Sequence, residues 1–69
     1  MSQRYDPETD TIRMRLSDAA VDDTDEVSPG VLADYDAEGN VVGYEFLQAS
    51  RRFPDPRNAD VRPYLQVPA

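Results

Sequence analysis

Sixty-nine residues make one small domain with a thin core, because a chain of this length buries only about 60% of the surface it exposes when unfolded. It contains no Cys and no His, which excludes disulfides, thiolate metal sites and the commonest general base. Fourteen acidic residues against seven arginines give a formal charge of −7, the wrong sign for a direct nucleic-acid partner, whose phosphates need a basic face.

Residues 2–5 read as a short first strand. Asp6-Pro7-Glu8-Thr9 fits a type I turn, with Asp at its first position and Pro pre-set for the second. Residues 11–17 then alternate, with Ile12, Met14 and Leu16 on one face and Thr11, Arg13, Arg15 and Ser17 on the other. That period of two predicts a half-buried strand. Residues 18–30 are ambiguous. Asp22, Asp23, Asp25 and Glu26 crowd one short stretch, which suits either a solvated loop or an edge strand whose charge discourages wrong pairing. Ser28-Pro29-Gly30 closes it.

Val31, Ala33 and Tyr35 share one face of the next predicted strand, residues 31–35. Asp36-Ala37-Glu38-Gly39 again fits a type I turn, with Gly39 where a left-handed residue closes a three-residue hairpin loop. Val42, Tyr44 and Phe46 then share a face over residues 41–47, and Gly43 marks a bulge or a close backbone approach. Residues 48–52 suit a helical turn or a strand end. Beyond Phe53 come Pro54, Pro56, Pro63 and Pro68. They predict an irregular, partly extended tail, whose Phe53, Tyr64, Leu65 and Val67 could dock on a sheet or on a neighbouring subunit.

The chain repeats itself. Aligning residues 1–19 with 31–49 matches Tyr5 with Tyr35, Asp6 with Asp36, Glu8 with Glu38 and Ala19 with Ala49. The apolar pairs Ile12/Val42, Met14/Tyr44 and Leu16/Phe46 correspond as well. Convergence on good turn residues explains the acids as readily as duplication does; two hairpins follow either way. The expected fold is mainly β: an antiparallel meander of two hairpins with four to five strands over residues 1–52, and a Pro-rich tail over 53–69. One face buries Ile12, Met14, Leu16, Val31, Tyr35, Val42, Tyr44 and Phe46. A single sheet leaves that face half covered, which predicts a homo-oligomer, most simply a dimer.

Tyr5-Asp6-x-x-x-Asp10, the Ile12/Met14/Leu16-Ser17 strand, Val27-Ser28-Pro29-Gly30-Val31, Asp34-Tyr35-Asp36-x-x-Gly39-Asn40-Val41-Val42-Gly43-x-Glu45 and Ala49-Ser50-Arg51 together resemble the small prokaryotic proteins called domain of unknown function 2283. The resemblance covers roughly residues 3–52. Ala33 is smaller than the aliphatic residue expected there, and the tail lies outside the shared pattern. The resemblance implies a small antiparallel β-domain without an established activity and, for some relatives, a place in toxin–antitoxin-like gene pairs. It supplies no catalytic residues.

The sharpest candidate site is residues 34–45. Asp34, Asp36, Glu38, Gly39 and Glu45 fall near the register of a calcium-binding EF-hand loop. Such a loop needs a helix on each side, and both flanks here alternate like strands, so a hairpin is the plainer reading and a weak divalent-cation site the alternative. The acid cluster Asp22, Asp23, Asp25 and Glu26 suits a solvated segment, a divalent ion or a basic protein. Ser17, Ser28 and Ser50 have no His or Lys to activate them, and a sheet this small has little depth for a carboxylate pair in a cleft. Tyr5, Tyr35, Tyr44 and Phe46 suit core or cross-strand pairs better than a base-stacking platform, given the charge. Arg13, Arg15, Arg51 and Arg52 suit cross-strand pairing with Asp34 or Glu45. The expectation is therefore a non-enzymatic interaction module with no catalytic, cofactor or metal residues. It is soluble and cytoplasmic, because no apolar leader or span-length run occurs, and conceivably antitoxin-like, with a small basic protein as partner and neither nucleic acid nor membrane.

Overall fold

The computed structural model describes residues 2–65. Five antiparallel strands form one open sheet: β1 (Ser2–Asp6), β2 (Thr11–Arg15), β3 (Asp23–Ser28), β4 (Val31–Tyr35) and β5 (Val41–Phe46). Their spatial order is β1-β2-β5-β4-β3. Both expected hairpins are present, and the acid-rich stretch resolves into an edge strand. The hairpins join along β2 and β5, so the last strand sits at the centre of the sheet and β3 at its rim.

Turn chemistry explains the hairpin ends. The Asp36 carboxylate accepts the backbone N–H groups of Glu38 at 2.9 Å and Asn40 at 2.8 Å. Gly39 takes the left-handed conformation, φ 84°, that its place in the loop demands. The β4–β5 register slips by one residue between Asp34 and Tyr35, which accommodates Val42 as a bulge beside Gly43. Gly43 also meets the second expectation of its position: a Cβ there would stand 2.8 Å from the Met14 carbonyl oxygen.

The sequence repeat has a geometric counterpart. Ser2 faces Arg15 in the first hairpin, and Leu32 faces Glu45, each thirty residues on, in the second. Between hairpins, Met14 faces Tyr44, its own counterpart in the repeat. Leu16 N–H donates to the Val42 carbonyl, mirroring the Ile12–Phe46 pairing. These registers define a local two-fold axis normal to the sheet, passing through the Met14–Tyr44 pair.

The core gathers Ile12, Met14, Val31, Ala33, Tyr44, Phe46, Ala49, Phe53 and Val61, with Leu16 and Tyr35 packed half-buried against it. Val42 is buried too, outside that cluster. Ala33 is small because the Tyr44 ring stands opposite it on β5. The addition that alternation could not reveal is the tail. After helix α1 (Ala49–Arg52), short 3-10 turns at Pro56–Asn58 and Arg62–Tyr64 fold residues 53–65 back over the sheet. Phe46, Phe53 and Tyr64 pack edge to face, with centroids 5.4–6.2 Å apart. Val61 is sealed in the core. Burying Phe53 and Val61 contributes about 1.5–3 kcal/mol each. The tail therefore supplies the second layer that a single sheet lacks, and the apolar face has a cover from within the chain. Val67 and Pro68 lie outside the described residues.

Candidate functional site

Three groups of polar side chains stand out, and the first ties the β1–β2 turn to the start of α1. Asp10 closes the β1–β2 turn in a left-handed conformation, φ 53°. Its carbonyl accepts the Ala49 N–H at 2.8 Å. Its carboxylate accepts the Tyr5 hydroxyl at 2.7 Å, the Ser50 hydroxyl at 2.6 Å and the Ser50 N–H at 2.9 Å. The Ser50 and Tyr5 hydrogen bonds hold the Asp10 carboxyl below the usual carboxylate range. The same Tyr5–Asp10 hydrogen bond, with burial and the carboxylate charge adding to it, pushes the Tyr5 phenol up. The Arg57 guanidinium, 5.4 Å from the ring centroid, opposes that rise. Chemically this is a clamp. The Ser50 hydroxyl donates a hydrogen bond to a carboxylate whose ionised form that bond favours.

The second group is residues 34–45. Asp36 spends its carboxylate on the hairpin turn, and the Asn40 and Glu38 N–H groups lower its pKa. Asp34 is buried and accepts the Thr24 hydroxyl at 2.7 Å. Glu45 faces Arg13 across β2 and β5 at 3.4 Å. The strands on both sides are those that the hairpin reading requires, and among the described residues no three acidic groups converge on a point where a metal ion could sit.

The third group is the sheet's polar face, opposite the core. Cross-strand pairing aligns Arg4, Arg13, Glu45, Leu32 and Glu26 in one row, and Ser2, Arg15, Gly43, Asp34 and Thr24 in the next. The expected Arg13–Glu45 pairing is present. Arg15 instead donates to the Ala19 carbonyl at 2.7 Å. Arg52 donates to the Pro29 and Leu47 carbonyls, tying α1 to the β3–β4 turn. Arg4 and Arg13 stand opposite one another and border an open hollow of about 290 Å³ with Tyr5, Asp6 and Pro7. Of the acid cluster, Asp23, Asp25 and Glu26 lie exposed along β3, and Asp22 precedes it.

A family model described as protein of unknown function (DUF2283) matches residues 3–50. The chain belongs to this family. The match runs from Gln3, within β1, through β5 and ends on Ser50, the residue that closes the clamp on Asp10. No curated protein matches the chain, and neither does any solved structure. The DUF2283 description names no activity. The clamp gives physical content to the widely separated parts of the pattern. Tyr5, Asp10, Ala49 and Ser50 form one hydrogen-bonded unit that closes an end of the sheet. Sequence reasoning missed it as a unit, and its one signal was that Asp10 and Ser50 both belong to the resemblance. Among the described residues no helix is long and apolar enough to cross a membrane.

Proposed function

We propose that this DUF2283 protein is a non-enzymatic interaction module whose acidic rim strand, β3, receives a small basic protein. The supporting observation is the position of that strand. Asp23, Thr24, Asp25 and Glu26 are all exposed on an edge, so one side of the strand lacks a partner strand and carries three carboxylates, one of which, that of Asp23, accepts the Thr24 N–H at 3.0 Å. Such an edge can take an added strand through main-chain hydrogen bonds, while the acids select a basic one. An antitoxin-like role, in which the module covers a basic partner in the cytoplasm, is the specific form of this reading. The acidic charge weighs against nucleic acid and against anionic membrane surfaces. The committed state of Ser50, Asp10 and Asp36 favours binding over catalysis. It also leaves the divalent-cation alternative at residues 34–45 with fewer free oxygens.

Affinity capture of the tagged protein from its own lysate, read by mass spectrometry, tests the reading. The expected result is a basic protein in fixed ratio that is lost from an Asp23→Ser/Asp25→Ser variant. Recovery of the protein alone would sink it. A rise in melting temperature on adding calcium, abolished by Asp36→Ala, would revive the cation site.

A further inference from the structure

Two arginines face each other at the β1 rim of the sheet. Arg4 on β1 and Arg13 on β2 are directly opposed across the ladder, and both are exposed. Like charges in that position repel, so the pair destabilises the hairpin that carries it. Arg13 has partial relief, because its Nε–H points to Glu45 at 3.4 Å, which leaves its terminal amino groups free. The Arg4 side chain makes no hydrogen bond and no ion pair among the described residues. The two guanidiniums border an open hollow of about 290 Å³, whose remaining lining is Tyr5, Asp6 and Pro7. Asp6 is the one opposing charge in that lining. Its carboxylate is turned to its own hairpin, where it accepts the Glu8 N–H at 3.0 Å.

A bound anion would remove the repulsion and take up the unpaired donors. Its charge and shape follow from the geometry. Each guanidinium presents a planar fork that suits two oxygens. A carboxylate has only two, enough for one fork, whereas a tetrahedral dianion has oxygens for both. The hollow is below the usual size for a drug-like ligand but has room for one such group. We propose that the Arg4–Arg13 hollow binds a phosphate group, as the free ion or as a small monoester. The formal charge of −7 does not oppose this locally. The acids of β3 lie at the opposite rim, about 19 Å away at the usual strand spacing, beyond twice the Debye length of about 8 Å at physiological salt. One pair of guanidiniums holds a single phosphate and not a track of them, so the site does not extend to a nucleic-acid backbone. It is independent of the β3 edge, and either can fail without the other.

Both arginines lie in water, so the expected dissociation constant is about 1–10 mM. The test is an NMR titration of the full chain that follows backbone amides and arginine Nε–H groups. Sodium phosphate, and separately glycerol phosphate, are added to about 50 mM at about pH 7.5, where the phosphate is largely dianionic. Sodium chloride holds the ionic strength constant, and acetate is the monoanion control. The expected result is saturable shifts at residues 4–7 and 13, with acetate binding at least about fivefold more weakly. Tighter binding of phosphate assigns the free ion and tighter binding of glycerol phosphate the monoester; both support the site. Arg4→Gln relieves the repulsion, so the variant should stay folded while binding at least about fivefold more weakly. Asp6→Asn keeps the oxygen that accepts the Glu8 N–H and removes the opposing charge, so it should tighten binding about threefold. Arg51→Gln, exposed on α1, should leave binding unchanged. The absence of saturation below about 50 mM overturns the proposal. So does equal binding of acetate, or binding that Arg4→Gln leaves intact.

Discussion

Val61→Ala tests whether the tail belongs to the core. Val61 is 1% exposed, and its contacts come from a segment whose four prolines give no periodic signal. Removing two buried carbon groups at about 0.8 kcal/mol each costs about 1.6 kcal/mol. A void that the neighbours fail to fill raises this towards about 3 kcal/mol. For a domain of this length the smaller figure lowers the melting temperature by about 6–13 °C. Urea and thermal unfolding followed by circular dichroism measure it, and Val21→Ala serves as the internal control. Val21 is 44% exposed, so its truncation should stay within about 0.5 kcal/mol. Equal effects of the two substitutions would refute the docked tail and return the sheet's apolar face to a second copy as its natural cover.

The Asp10 clamp predicts a pH dependence with a definite sign. Asp10 titrates below its ordinary value, so its contribution is present above about pH 4 and is lost as pH falls through its lowered folded value. Melts taken between about pH 2 and pH 7 should show a shallower acid slope for Asp10→Asn than for the unsubstituted protein; parallel slopes would remove the clamp from the account. Part of the slope should persist, carried by Asp36 and by Asp60, which Arg62 holds down to about 2. Gly43→Ala should destabilise by about 1–3 kcal/mol, because the new methyl would meet backbone rather than a movable side chain. Strand propensity alone predicts the opposite sign, so urea unfolding decides between them.

The sequence showed the hairpins because both of their determinants are local. Alternation assigns Ile12, Met14, Val42, Tyr44 and Phe46 to one face, and Asp36 and Gly39 carry the turn chemistry within a few residues. It left residues 22–26 open because strand and solvated loop share the same composition when every side chain faces water. The joining of β2 to β5 was not legible, since both strands present equally apolar faces and nothing in either names its neighbour. The tail was half legible. Its apolar residues Phe53, Tyr64 and Leu65 stood out as able to dock, but prolines remove backbone donors and erase periodicity, so neither the place of docking nor the burial of Val61 could be read from local pattern. The Asp10–Ser50 clamp spans forty residues, and no local rule connects a turn aspartate to a serine beside a helical turn.

The local two-fold axis bears on how the chain reaches this structure. Each hairpin closes over a short loop, the kind of event that takes about 1–10 µs. The β2–β5 seam is the step that must bring distant residues together, and loop closure over that separation is the slower search. Both hairpins contribute one strand each to that seam, and Met14 and Tyr44 meet at its centre.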